Sequence, residues 1–199
     1  MTSIRFGLIT EDETDANAVG ILVRRIALST RASTPGLNKY WGKGCARIRK
    51  KAEAKMAEMM ESGCQAVIIV HDLDRSPQNG QLNNEMLRRA ELENVPVPQG
   101  LQRHICIPIE ELEAWFWADE ETVKLATHGN AHAHAHASPH LLAKPKEQFE
   151  RLSRGANGKS RYNTNKNPEL AEKLNLAICE KRCPSFHALA NFIRQTLSS

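Results

Sequence analysis

The stretch AVIIVHDLD, residues 66–74, decides the fold class. Its first five residues form a continuous apolar run rich in β-branched side chains, which is typical of a strand buried on both faces of a parallel sheet. Asp72 and Asp74 follow at once. If the chain stays extended there, their alternate spacing sends both carboxylates to the same side. The stretch therefore predicts a buried parallel strand that ends in a pair of acids.

Further strands and helices are predicted on both sides of this strand from apolar periodicity and turn residues. In chain order they are a strand over 4–10, a helix around 19–26, a loop over 29–44 that could hold a short strand, a helix over 46–62, and, beyond the central strand, a helix over 83–93 and a strand over 104–109. Strands that alternate with helices indicate an α/β fold with a mainly parallel sheet flanked by helices. We divide the chain into an α/β domain over 1–127 and a helical C-terminal extension over 128–199 that packs on it.

The composition excludes several classes of protein. Of the 199 residues, 41% are hydrophobic and 25% are charged, which is ordinary for a globular fold and too apolar for general disorder. No segment approaches eighteen consecutive apolar residues, so we expect neither a membrane span nor a secretory signal, and a cytoplasmic location. The five cysteines include no C-x-x-C pair, which argues against a disulfide framework or a structural zinc site.

Carboxylates follow three of the predicted strands. The clusters are Glu11 to Asp15, Asp72 with Asp74, and Glu110 to Glu113. Because ligands bind at the carboxyl ends of strands in an open parallel sheet, we expect the three clusters to lie at one edge. Each cluster alone has an ordinary explanation, since acids after a strand often cap the next helix. Together they would repel one another without a cation, and this favours a site for one or two hard cations.

Basic residues are concentrated in two segments. Residues 39–55 hold seven basic residues and one acid, and residues 141–166 hold seven and two. The first segment also contains Tyr40 and Trp41, so it could hold phosphates while an aromatic ring stacks on a base, although either segment could equally be a solvated surface. The residues predicted to contact nucleic acid are Lys39, Lys43, Arg47, Arg49, Lys50 and Lys166.

Two of the acidic motifs resemble those of a known superfamily. EDETD at residues 11–15 resembles the E-G-x-[ST]-D motif of TOPRIM domains, with Asp12 in place of the usual glycine, and HDLD at 71–74 resembles their D-x-D motif. A narrower resemblance, to the small stand-alone TOPRIM-like proteins of the DUF4276 family, covers nearly the whole chain. It rests on ELEAWFWAD at 111–119 and RCPSF at 182–186.

The resemblance implies a TOPRIM-like, Rossmann-like fold and a Mg²⁺-dependent nuclease related to the OLD-type enzymes, with Mn²⁺ as an alternative ion. It also implies DNA or RNA as partner, and an ATPase partner with a role in phage defence. Lys146 is the preferred cation for the transition state, with Lys166 as second choice, because OLD-type enzymes have a late lysine. The acids assigned as the likeliest metal ligands are Glu11, Asp72 and Asp74, with Asp15, Glu111 and Glu113 as a second site or a supporting layer.

Other functions stay open at this point. VIIVHDLDRS at residues 67–76 also resembles the first motif of haloacid-dehalogenase phosphatases, although the earlier acidic strand end at Glu11 disfavours that class. A non-catalytic TOPRIM module that binds nucleic acid or a protein is the third alternative. The histidines His132, His134 and His136 could bind zinc or nickel, but a low-complexity loop is the preferred interpretation. Whether the protein acts alone or as an oligomer stays open as well.

Overall fold

The computed structural model describes residues 4–30, 34–42, 45–76 and 78–199. Four strands lie within these ranges: β1 (Arg5–Thr10), β2 (Gly36–Trp41), β3 (Ala66–Val70) and β4 (Gln102–Cys106). The helices described there are α1 (Glu13–Leu28), α2 (Cys45–Glu61), α3 (Glu85–Glu93), α4 (Glu113–Phe116), α5 (Glu120–Ala126), α6 (Pro145–Leu152), α7 (Asn167–Lys173), α8 (Leu176–Arg182) and α9 (Pro184–Ser198). Short 3₁₀ turns occupy Pro139–Leu141 and Thr164–Lys166.

The four strands form one parallel sheet in the order β2-β1-β3-β4. The predicted α/β class, with a parallel sheet and a helical C-terminal part, is confirmed, and the arrangement is Rossmann-like. The chain passes from β1 to β2 on one side and then returns to place β3 on the other side of β1. The carboxyl ends of β1 and β3 therefore meet at the point where the strand order reverses, which is where such sheets bind ligands.

The sheet separates two hydrophobic cores because side chains alternate along each strand. Ile68 of β3 packs with α1 and the C-terminal helices, whereas Val67 and Ile69 pack with α2. Gly7 of β1 faces α2 so closely that a Cβ atom there would lie 2.4 Å from the Met59 sulfur. A larger residue at position 7 would therefore clash with the Met59 and Val67 side chains unless they shift.

The C-terminal helices cover the α1 face of the sheet. Helices α7 and α9 pack on α1, and α9 also contacts β4. Arg25 of α1 donates from Nη1 to the carbonyl oxygens of Ala171 (2.6 Å) and Leu174 (2.8 Å), at the carboxyl end of α7. One continuous core thus includes residues from both parts of the chain. The predicted division into two units after residue 127 stays a prediction.

The structure refines two of the predicted elements. The loop predicted over 29–44, which could hold a short strand, contains one: residues 36–41 form β2, an edge strand that has no buried apolar run because its residues stay partly or fully exposed. Strand β4 begins and ends a few residues earlier than the predicted 104–109, and residues 107–109 continue toward the acidic segment outside the strand. No helix in the described ranges is both long and apolar enough to cross a membrane.

Candidate functional site

Glu11 lies in the turn between β1 and α1. The helix begins at Glu13, and Asp12 is its N-cap residue, whose carboxylate accepts a hydrogen bond from the Asp15 N–H at 2.9 Å. The φ of Asp12 is −138°, an extended conformation that does not require glycine. Asp12 stands where the motif that this segment resembles has glycine, and its side chain caps the helix. Glu11 therefore precedes the helix and does not share a helical face with Asp15, although the two are four residues apart.

A hydrogen bond joins the acids that follow β1 to those that follow β3. The Asp72 N–H donates to Glu11 Oε1 at 3.2 Å. Nδ1 of the buried His71 lies 3.9 Å from the same oxygen and 2.9 Å from the Asp72 carbonyl oxygen. The Glu11 side chain is 20% exposed, so solvent reaches it. Two residues predicted from separate motifs are thus neighbours at the switch point of the sheet.

The carboxylates at this edge crowd one another. Burial raises the pKa of Asp15 to about 8, and three neighbouring acids add to the effect. Those neighbours are Asp12, Glu113 and Glu11. The pKa of Asp72 also lies well above its usual value, first through burial and then through the same kind of repulsion, led by Asp15. The carboxylates of the cluster therefore destabilise one another's charged forms, and a cation would relieve that repulsion.

Asp74 stands at the margin of this cluster. Its side chain is exposed, and its charge contributes less to the raised pKa of Asp72 than those of Asp15, Glu11 and Glu113. It also borders a cavity of about 340 Å³ whose lining includes Glu111. The structure thus brings Asp74 to the same edge but leaves it in solvent.

Glu110 connects the segments around Arg75 and Lys144 through hydrogen bonds. It is buried and has a positive φ of 66°, which is uncommon for a residue other than glycine. Its Oε2 accepts a hydrogen bond from Arg75 Nε at 3.0 Å and one from the Lys144 N–H at 3.4 Å. Lys144 itself has a φ of 53° immediately before Pro145, a position where helical backbone is disfavoured. Strained backbone of this kind is held by its surroundings and is concentrated at functional sites.

Glu111 and Lys146 form a pair beside the cluster. Lys146 Nζ lies 3.5 Å from Glu111 Oε1, and the Lys146 N–H donates to Oε2 at 3.2 Å. Burial and the charge of Glu113 raise the pKa of Glu111 to about 7, and Lys146 opposes that shift. Burial alone would lower the pKa of Lys146, but the surrounding carboxylates, led by Glu111, outweigh burial and raise it. Lys146 is therefore held as a cation at the edge where the acids meet.

Glu113 is the most enclosed acid of the site, with 4% of its surface exposed. Its Oε1 accepts a hydrogen bond from Asn167 Nδ2 at 3.0 Å and lies 3.1 Å from the Tyr162 hydroxyl. The same hydroxyl lies 2.6 Å from Asn167 Oδ1. Because it has a single proton, it donates to either Glu113 Oε1 or Asn167 Oδ1 at any one time. No local pattern in the sequence points to Tyr162 and Asn167. The one usable signal is general: a carboxylate buried in an apolar segment needs donors from elsewhere in the chain.

Replacing Tyr162 by Phe is expected to destabilise the protein by about 1–3 kcal/mol, because the buried Glu113 carboxylate then loses a donor while the ring packing is kept. Urea unfolding of the two proteins measures this difference. Tyr40→Phe is the matched control, since Tyr40 lies on β2 with Lys55 Nζ 5.0 Å from its ring centre, and we expect a change within about 0.5 kcal/mol. Equal losses for the two variants would show that the hydroxyl of Tyr162 has no special partner.

Replacing Asp15 by Asn is expected to stabilise the protein at pH 8 and to change little at pH 4. A folded-state pKa raised from 3.8 to about 8 means that wild type loses stability as the pH rises through this window, because the folded state binds the proton more tightly than the unfolded state. The gain at pH 8 should be about 1–2 kcal/mol, measured by chemical denaturation without divalent ions. Glu13→Gln, in the same first helical turn, is the control. A gain that is larger at pH 4 than at pH 8 would contradict the assignment.

The carboxylate oxygens at this edge have the chemistry of ligands for a hard divalent cation. Carboxylate oxygens are the ligands that Mg²⁺ takes, and Mg²⁺ keeps several waters, so one or two carboxylates are enough to bind it. Glu11 and Asp72 supply that number, and the raised pKa values of Asp15 and Asp72 indicate charge that a cation would compensate. In the part of the chain that the structure describes, no three His, Cys, Asp or Glu side chains are grouped so that they could hold a metal ion.

The basic residues predicted to contact nucleic acid have different partners in the structure. Lys39 Nζ donates to Asn17 Oδ1 at 2.9 Å, Arg49 pairs with Glu91 at 2.8 Å, and Lys166 pairs with Glu169 at 3.1 Å. The other two with described side chains, Arg47 and Lys50, are exposed on α2. Lys43 lies outside the described residues.

One aromatic residue of that segment reaches the edge where the acids lie. Trp41, the last residue of β2, pairs with Thr10 at the end of β1 and is 38% exposed. Glu11 is the next residue after Thr10. An exposed indole thus stands one strand away from the carboxylate cluster, where a base could stack on it.

The histidine segment does not approach the acidic edge through any described contact. His132, His134 and His136 are exposed, and His134 Nδ1 lies 3.3 Å from Glu120 Oε1. The Ala135 N–H donates to Oε2 of the same glutamate at 2.8 Å. The segment is therefore fastened to α5 through one carboxylate, and zinc or nickel binding stays untested.

Comparison with known proteins gives one match. The family model described as "Domain of unknown function (DUF4276)" matches residues 10–194. No curated protein and no solved structure matches the chain. The matched span includes every acid of the site described above as well as Tyr162 and Asn167.

Proposed function

The chain belongs to the DUF4276 family, whose function is unknown, and we propose that it is a Mg²⁺-dependent nuclease of the TOPRIM type. The observation that carries the proposal is the contact between two motifs: the Asp72 N–H after β3 bonds to the Glu11 carboxylate after β1, at the switch point of the sheet. The order of these motifs along the chain resembles that of TOPRIM domains. The raised pKa values around them support a cation site.

Glu11 and Asp72 would hold the cation, with Asp74 reaching it from the solvent side. When bound, Mg²⁺ supplies an activated water and offsets charge on a phosphodiester in hydrolysis. Asp15 sits behind these ligands with a raised pKa, so it can hold a proton near neutral pH and limit the local negative charge. Glu113 is fixed by Tyr162 and Asn167 and adds to the negative field of the cluster without facing solvent.

Lys146 has the properties of the residue that meets the phosphate. It stays protonated at neutral pH, because the carboxylates around it raise its pKa. The Glu111 carboxylate holds it at 3.5 Å, and the side chain is 36% exposed. A fixed ammonium at this edge would offset negative charge that develops on a phosphate in the transition state. This agrees with the late lysine expected from the resemblance to OLD-type enzymes.

The remaining parts of the proposal concern partners. The exposed cations of α2 and the indole of Trp41 support nucleic acid as the substrate, and the choice between DNA and RNA stays open. We propose a cytoplasmic location on the basis of composition. We propose an ATPase partner and a role in phage defence on the basis of the resemblance to OLD-type nucleases. Two alternatives, a non-catalytic TOPRIM module and a phosphatase, are separated by experiment.

The direct test uses purified protein with supercoiled plasmid, linear DNA and single-stranded RNA, each with Mg²⁺, Mn²⁺ or EDTA. We expect cleavage of at least one polymer with either ion and none in EDTA. Binding of the polymers without turnover would favour the non-catalytic module. Release of phosphate from a small phosphomonoester, with all polymers intact, would favour the phosphatase.

A further inference from the structure

A cavity of about 330 Å³ lies along the open edge of the sheet, beside β4. Helix α3 forms one wall, the start of α9 and the 3₁₀ turn at Pro139–Leu141 form the other, and residues 104–107 form the floor. Its volume falls in the range of pockets that bind small ligands. The site proposed above does not use this cavity.

The walls of the cavity carry almost no net charge. Most of the lining is apolar, as with Ile105, Ile107 and Ala188. Among the described lining residues, Arg89 pairs with Glu85 at 2.9 Å, and its Nη1 donates to the Ile105 carbonyl oxygen at 3.1 Å. The cation and the anion of the lining therefore neutralise each other, so the cavity suits a neutral ligand better than a phosphate or a carboxylate.

His104 lines the cavity with an uncharged ring. Burial, together with the charge of Arg89, lowers the pKa of His104 to about 4, so the imidazole is neutral at physiological pH. A neutral imidazole has one donor and one acceptor nitrogen. Its Nε2 is buried and has no hydrogen-bond partner among the described residues. The ring is stacked on Phe192 with centres 5.0 Å apart, which fixes its plane.

The cavity borders the proposed catalytic edge. Ile109 lines it, and the next two residues are Glu110 and Glu111. Two Cα steps cover at most about 7.6 Å. His140, on the opposite wall, precedes Lys144 by four positions, and the Lys144 N–H donates to Glu110. Ile109 also forms a bridge with Leu73, the residue after Asp72, so the cavity adjoins the loops that carry these acids.

We propose that this cavity binds one unstacked nucleobase of the substrate strand, next to the scissile phosphate. A nucleobase is neutral, flat and apolar on its faces, which suits the mostly apolar lining of the cavity and the neutral ring of His104. Splaying out a single base is common in sequence-dependent recognition of single strands. The inference rests on the proposed function, since it assigns a base-binding subsite to the same nuclease.

The test measures binding in EDTA, so that it does not depend on cleavage. Ala188→Leu fills the cavity from an exposed helical position, and Ala177→Leu, on the exposed face of α8, is the matched control. Fluorescein-labelled single-stranded 12-mers of DNA and RNA are titrated with wild type and both variants. A second set of strands carries one abasic site at each successive position. Binding of free nucleosides is followed separately by NMR at the His104 imidazole.

We expect Ala188→Leu to weaken binding of intact strands about tenfold, while Ala177→Leu binds as wild type. Strands abasic at one particular position should bind wild type as weakly as intact strands bind Ala188→Leu, and the variant should add no further loss. Equal binding by all three proteins, or the same loss at every abasic position, overturns the inference.

The experiment with free nucleosides distinguishes a cavity that binds a base within a strand from one that binds a free nucleoside. If no strand binds but a nucleoside shifts the His104 signals in wild type and not in Ala188→Leu, the cavity takes a base while the nucleic-acid part of the proposed function fails. If neither strands nor nucleosides bind, the inference is overturned. If strands bind at the cavity and no cleavage occurs under any condition, the subsite stands and the nuclease proposal fails.

Discussion

Replacing Glu11 by Gln, or Asp72 by Asn, is expected to reduce metal-dependent cleavage by about 10²–10³-fold. Either change removes a charged oxygen donor from the pair that would hold the cation, while the side-chain volume is kept. In the Glu11→Gln variant the Asp72 N–H can still donate to the new amide oxygen, so the hydrogen bond between the two turns survives. The loss should therefore lie in turnover and cation affinity, measured by gel-based cleavage and by Mn²⁺ titration, and not in a loss of folding stability.

Glu13→Gln is the matched control for this prediction. Glu13 is an exposed acid two residues from Glu11, and it lies in the first turn of α1. Replacing it changes the net charge by the same amount but leaves every assigned metal ligand in place, so we expect cleavage near the wild-type rate. Cleavage that survives Glu11→Gln and Asp72→Asn at the rate of the Glu13→Gln control would remove both acids from the site.

Replacing Lys146 by Gln is expected to reduce cleavage about 10²-fold and to leave cation affinity almost unchanged. The ammonium is held 3.5 Å from Glu111, beside the acids but not among the assigned ligands. Its loss should therefore act on the transition state rather than on the metal. Single-turnover cleavage with saturating Mg²⁺, together with Mn²⁺ binding, separates the two effects.

Lys181→Gln controls for the loss of one positive charge, since Lys181 is exposed on α8 away from the acids. If Lys146→Gln cleaves as fast as this control, Lys146 has no role in the chemistry. If Lys146→Gln loses cation binding as well as turnover, the role of Lys146 is to position Glu111 and the neighbouring acids.

Much of the sheet could be predicted because buried strands carry their own signal. The run at residues 66–70 is apolar at every position, and all five residues are buried in β3. Strand β2 carries a weaker signal and was predicted only as a short strand that the loop over 29–44 could hold, because it lies at the edge of the sheet and keeps polar residues such as Asn38 and Lys39. Its position depends on pairing with β1, which is a non-local contact.

The site was predictable only where topology brings residues together. Glu11 and Asp72 follow adjacent parallel strands, so a sheet with reversing strand order places them side by side. Glu113 was assigned to a supporting role, but its donors, Tyr162 and Asn167, come from about 50 residues further along the chain and have no motif spacing to Glu113. Contacts of this kind depend on how the C-terminal helices pack, and a single sequence does not encode them in a local pattern.

The central claim is that Glu11 and Asp72 jointly hold one hard cation. The most direct test is a crystal of the wild-type protein soaked in Mn²⁺, with anomalous scattering used to locate the ion. We predict a peak between the Glu11 and Asp72 carboxylates, absent from crystals of Glu11→Gln treated in the same way. Strong Mn²⁺ peaks elsewhere and none at these two acids would contradict the claim.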